Sequence, residues 1–228
     1  MTQSVNRPVQ TETEIPGPRQ SAETLPEAAP PVAEAAAPPP GDPAIIGLPA
    51  FIVGSVALAL VQINFAPLAA TGAAIPIIAT ATTVGLFIAA VWAARLGQSL
   101  VASIMGVFAG FWLSYAAVSI GLGHAWWAIA STGVARSVEV FLIAWLVVMG
   151  LLTLATLRLP IVYPVLMVLV DLALVLLLIA TVQASVSMTK AAGWVVLAFA
   201  AVGGYLWLSS LSVAAGGRAL PMGPVLVT

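Results

Sequence analysis

Asp171 is the residue of this chain whose placement most suggests chemistry. It lies among Val168, Leu169, Val170 and Leu172, near the middle of a long apolar run. An ionisable side chain at that depth is costly if it faces lipid, so it is expected to face a helix bundle or a water-filled path. A desolvated carboxyl there can accept and release a proton. It can equally be a protonated group hydrogen-bonded to a neighbouring helix, and both readings stand. In a low-dielectric path its ionised form would repel an anion, whereas its protonated form could donate a hydrogen bond to one. Glu139 follows Arg136 by three residues. That spacing puts both on one helix face as an interfacial ion pair, with Arg136 the one obvious lure for an anion. Asp42 directly precedes Pro43, an arrangement that caps a helix start. Gln62 and Asn64 close the first apolar run, where an amide can satisfy freed carbonyls. His124 stands beside Trp126 and Trp127, and reads as a solvated residue of the headgroup zone rather than a pH sensor.

Much else is excluded. The chain has no cysteine and one histidine, which removes disulfides, thiolate nucleophiles and a histidine-built metal centre. Its net charge of −1 gives no reason to expect nucleic acid as a partner. No nucleophile, base and orienting group fall at matched depth, so neither an enzyme nor a cofactor is expected.

The elements that must position these residues follow from hydropathy. Of 228 residues, 61% are hydrophobic and 7% charged, too little charge to cover the surface of a soluble domain. Apolar runs recur at the length needed to cross about 30 Å of hydrocarbon at roughly 1.5 Å per residue. They cover Pro43–Asn64, Ala73–Ala94, Leu100–Leu122, Val138–Leu157, Leu159–Ala184 and Ala191–Leu211. Open strands would leave backbone groups unpaired in lipid, so the fold class expected is all-α integral membrane with six transmembrane helices over residues 42–212. Residues 1–41 are rich in Pro, Ala and Glu. They are expected to be a disordered cytoplasmic tail, with no basic start and apolar core of a signal peptide. Residues 213–228 form a short C-terminal segment. With six spans, Arg7, Arg19, Arg95, Arg158 and Arg218 share one side, against Arg136 and Lys190 on the other. The bias predicts both termini in the cytoplasm.

Two spans carry small residues at every fourth position: Ala81, Gly85, Ala89 and Ala93, then Ala102, Gly106, Gly110 and Ser114. Such stripes let helix backbones approach closely where lipid removes the hydrophobic drive. Pro49, Pro67, Pro76, Pro160 and Pro164 are expected at kinks or helix starts. Trp92 and Trp112 are expected to pack rather than to line a path.

In this order the motifs resemble a known family, the acetate uptake transporters of the acetate/succinate (SatP/YaaH) type. The family opens its first span as Asn-Pro-Ala-Pro-Leu-Gly-Leu followed by Phe. Here the stretch is Asp42-Pro43-Ala44-Ile45-Ile46-Gly47-Leu48, with Phe51 after it. The turn Arg95-Leu96-Gly97-Gln98-Ser99 and the stretch Gly110-Phe111-Trp112-Leu113-Ser114 are similar to the family's third-span entry and core. Leu142-Ile143-Ala144-Trp145, Thr156-Leu157-Arg158, Ala192-Gly193-Trp194 and Leu220-Pro221-Met222-Gly223-Pro224 follow in sequence.

The resemblance implies a homohexameric ring in the plasma membrane, each protomer passing small monocarboxylates such as acetate, or succinate, with proton linkage. It implies a narrow point at Phe51, Phe108 and Val170, with Asp171 beside it. It also implies substrate entry near Asp42, Pro43, Gly47 and Leu48. Asp42 stands where the family has Asn, and Asp171 where it has about a Thr. Both put a carboxyl near a path expected to pass an anion. Two other readings remain: a channel for a neutral solute such as urea or an amide, and a non-transporting scaffold that binds a partner through its tail.

Overall fold

The computed structural model describes residues 41–66 and 68–227. Among these described residues, six helices are long and apolar enough to cross a membrane. They are α1 (Ala44–Gln62), α2 (Ala74–Arg95), α3 (Ser99–Gly123), α4 (Val134–Thr156), α5 (Val162–Gln183) and α6 (Val186–Ala214). The described residues therefore form an all-helical, multi-pass membrane domain. The tail expected over residues 1–41 lies outside the described residues except for Gly41.

Two helices run further than their apolar cores suggest. α4 begins four residues before Val138 and takes in Arg136. α6 begins five residues before Ala191 and takes in Lys190, with the Ser185 hydroxyl accepting the Met188 amide at 3.3 Å. Helix hydrogen bonding continues past the hydrocarbon edge, because long basic side chains can reach out to the headgroup zone.

The helices pack as a curved series α4–α5–α6–α1–α2–α3, and the α3–α4 contact that closes it is sparse. Among the described residues, three side-chain bonds fasten helices to each other. The Trp207 indole donates to the Ile45 carbonyl (3.2 Å), tying α6 to α1. The Trp145 indole donates to the Ser114 hydroxyl (3.1 Å), tying α4 to α3. The Thr153 hydroxyl donates to Asp171 Oδ2 (2.7 Å), tying α4 to α5.

α2 contains a π-helical turn over Ile78–Thr82. The Thr83 hydroxyl donates to the Ile78 carbonyl five residues back (2.8 Å), a bond that suits the wider turn. The extra residue turns Thr82 inward, fully buried against Gly54 of α1, where any Cβ would collide with it. It also breaks the expected stripe. Ala81 is exposed, while Gly85 and Ala89 pack against Ala50 and Gly47 of α1. The α3 stripe behaves differently: Gly106 and Gly110 are exposed in the single chain, and Trp145 and Ala90 only brush them.

Beyond α6 the chain turns at Gly216 (φ +83°) and runs back beneath the bundle. There it pairs with the α4–α5 turn through an antiparallel bridge, Pro160 to Val225.

Candidate functional site: two vestibules and a constriction

One face of each of four helices runs the length of the bundle. On α1 it reads Leu48, Phe51, Leu58 and Gln62, spaced by three, seven and four residues. This is the helical repeat that keeps side chains on one line. Matching lines on α3, α5 and α6 face it. Between them lie three cavities in succession.

The end that carries Asp42, the α4–α5 turn and the C-terminal segment is called the lower end here. A lower vestibule of about 350 Å³ opens there, walled chiefly by apolar side chains that include Leu48, Met105, Leu166 and Met167. An upper vestibule of about 430 Å³ lies at the opposite end. Its lining is more polar, with Gln62, Tyr115, Ser119, Thr181 and Thr189. A void of about 30 Å³ separates the two. It shares Phe51 and Phe108 with the lower vestibule, and Leu58 and Leu177 with the upper one. By volume it has room for one or two waters.

That small void is the narrow point. Phe51 meets Phe108 edge to face at 5.0 Å between ring centres and stacks on Phe199 at 5.4 Å. Val170 closes the α5 side, and all four residues are buried. Phe51, Phe108 and Val170, picked out in the sequence, thus come together around one opening. Phe199 joins them unannounced, since one Phe in an apolar helix carries no mark of which face it occupies.

The first-helix motif sits at the lower mouth. Asp42 and Leu48 line the vestibule. Asp42 Oδ1 accepts the Ala44 amide at 2.9 Å, the bond expected of a capping residue. Pro43 is fully buried, and Gly47 lies so close to Met105 and Ala89 that a Cβ would come within 2.5 Å of the Met105 sulfur. The motif's small and rigid residues therefore let α1 approach α2 and α3, while Asp42 faces the path.

Asp171 is placed otherwise than its neighbour. Val170 lines the constriction, but the Asp171 carboxyl lines none of the three cavities and turns toward α4. Thr153 bonds one of its oxygens; the other, Oδ1, is buried with no partner among the described residues. Adjacent helical residues point about 100° apart, so a site one position from the constriction need not face it.

Arg136 and Glu139 form an ion pair, with Arg136 exposed and Glu139 buried. His124 is exposed; its Nδ1 lies 3.0 Å from the Ile120 carbonyl, and its ring lies beside Trp126. Trp112 is buried in the wall of the constriction, and Trp92 packs over Gly41. Gln62 lines the upper vestibule with its Oε1 unpartnered. The sequence reading missed the hydroxyls Tyr163 below and Tyr115 above, because a Tyr in an apolar run reads as interface or core.

A mainly apolar vestibule and a more polar one thus meet at a narrow aromatic neck. Among the described residues that line the three cavities there is no Lys, Arg or His, and Asp42 is the sole carboxylate.

Comparison with known proteins supplies the family. The bacterial acetate channel SatP has a solved structure that superposes with a TM-score of 0.71 at 21% identity, covering 80% of this chain and 99% of that one. This likeness is one of fold. No curated protein matches the chain. The family model of the GPR1/FUN34/YaaH family matches residues 25–216, a range that takes in all six helices. The chain therefore belongs to the GPR1/FUN34/YaaH family, as the order of its span motifs indicated.

Proposed function

We propose that the protein is a transmembrane passage for small monocarboxylates, with acetate as the reference solute. The observation that carries this reading is the aromatic neck between two vestibules, formed by aligned faces of α1, α3, α5 and α6. Family membership and the fold shared with an acetate channel support it. The protein acts in the plasma membrane as a homohexamer with both termini in the cytoplasm. The exposed glycine face of α3 supports self-association, because small residues let helices of different copies approach.

Transport is linked to protons. Asp171, held by Thr153 through one oxygen, sits one position from Val170, which lines the neck. Uptake by an Asp171→Asn protein should lose its dependence on external pH. Full uptake with an unchanged pH profile removes Asp171 from the coupling.

A second reading, a channel for a neutral amide such as urea, draws on the absence of cations along the described lining and on Asp42 at the lower mouth. Reconstituted protein given labelled acetate or labelled urea, each with and without a proton gradient, separates the two. Acetate uptake that the gradient drives supports the first reading, and protein-dependent urea uptake alone supports the second.

A further inference from the structure

The lower vestibule is much larger than acetate. Acetate has four non-hydrogen atoms, and at about 20–30 Å³ for each, on the scale of one liquid water, it would fill roughly a third of the space at most. Leu48, Met105, Leu166, Met167 and Leu206 make the remainder an apolar surface leading up to Phe51 and Phe108. Such a surface holds methylene groups well and water poorly.

One wall residue comes from beyond the last helix. Met222 lines the vestibule and packs on the buried core, although it lies in the segment beyond α6. Its position is fixed from both sides. Toward α6, the Ser212 hydroxyl donates to the Arg218 carbonyl (2.7 Å), the Leu220 amide to the Ser209 hydroxyl (3.0 Å), and the Tyr205 hydroxyl to the Pro221 carbonyl (2.6 Å). Toward the α4–α5 turn, the Ile161 amide donates to the Pro224 carbonyl (2.9 Å) and the Val227 amide to the Leu157 carbonyl (3.2 Å). Gly223, at φ +74°, lets the backbone pass against Ile161, where a Cβ would collide. The backbone is thereby anchored on either side of Met222, while its unbranched side chain can adapt to what lies beside it.

From this geometry we propose that the lower vestibule is an alkyl-binding site for linear monocarboxylic acids longer than acetate, and that Met222 sets the chain length it admits. The inference rests on the monocarboxylate reading above and deepens it. The acyl chain lies along the apolar walls toward the neck, and the head group stays at the hydrated mouth. A merely structural strap would alter all acids in parallel. A specificity residue alters their ratio.

The test uses the full chain in liposomes at neutral pH, as wild type, Met222→Ala and Met222→Trp. Inhibition of protein-dependent labelled acetate uptake is measured for unlabelled acetate, butyrate, hexanoate and octanoate. Wild type should be inhibited by hexanoate at lower concentration than by acetate. Met222→Trp should weaken hexanoate relative to acetate by about tenfold, a size expected when a hydrophobic pocket loses room for a methylene or more. Met222→Ala should move the best competitor toward octanoate. Equal inhibition constants for hexanoate and acetate in wild type overturn the proposal, as does a ratio that all three proteins share within about twofold. Thermal unfolding of the purified proteins with hexanoate separates this from failure of the transport reading. A protein that takes up no acetate, yet is stabilised by hexanoate as wild type and not as Met222→Trp, loses the transport reading and keeps the alkyl site.

Discussion

At the residue scale, three carboxyl groups in the described bundle have three different tasks. Asp42 caps α1 and faces the lower vestibule, so its charge acts on whatever enters. Asn caps a helix about as well as Asp and carries no charge. An Asp42→Asn protein should therefore keep its melting temperature in detergent. It should half-saturate with acetate at a concentration lower by about fivefold, the equivalent of roughly 1 kcal/mol of relieved repulsion. Initial uptake rates against acetate concentration check this. Asp171 does its structural work through one hydroxyl. Thr153→Val removes that donor and leaves both carboxyl oxygens without a protein partner, so the protein should lose about 1–3 kcal/mol of stability. Denaturation in detergent measures it, and an unchanged midpoint would show that the bond carries no weight. Glu139 differs again, because its partner Arg136 is close at hand on the same helix.

At the scale of the element, α2 is the helix that sequence pattern describes least well. Counting by four from Ala81 predicts a stripe, yet Ala81 lies inside the π-turn over Ile78–Thr82 and is exposed, off the buried face of Ala89. What holds the turn in place is the fit of Thr82 against Gly54. A Gly54→Ala protein should be destabilised by about 1–3 kcal/mol through overpacking. Adding Thr82→Ala should restore much of that loss, because the two residues share one contact. Denaturation midpoints of the wild type, both single variants and the double variant measure the coupling, and simple additivity would sink the account. The helix ends follow more local rules. α3 starts after a turn through Gly97 (φ +72°), and α5 ends on Ala184 in the left-handed region (φ +51°). Gly97 can be anticipated from its residue type, since glycine takes that conformation freely. Ala184 cannot, since alanine takes it only under tertiary constraint.

At the scale of the whole molecule, the neck is where four helices converge. Phe51 touches both Phe108 and Phe199, so it is the side chain whose removal opens the passage most. A Phe51→Ala protein should pass acetate faster and also admit bulkier solutes that the wild type rejects, such as benzoate. Osmotic swelling or labelled uptake in liposomes reads both. Slower acetate entry, with benzoate still excluded, would mean that Phe51 guides the solute rather than blocking it. The outer surface follows a different logic. Phe87, Leu151 and Leu154 are each more than 60% exposed, which is appropriate only for a surface that meets lipid or another copy of the chain.

Hydropathy by itself determined the six spans, because crossing a bilayer requires a minimum apolar length that few other constraints can imitate. The order of short motifs determined the family, and residue type at Asp42 and Pro43 determined how α1 begins. Which side chains face the path was decided by tertiary structure. In a helix apolar all round, no polar face marks the inside, so Phe199 carries no sign of its role. Val170 and Asp171 are neighbours in sequence, yet one closes the neck and the other bonds Thr153 on α4. That division depends on the rotation of α5 about its own axis. The rotation is set by packing against α4 and α6, which no single helix encodes.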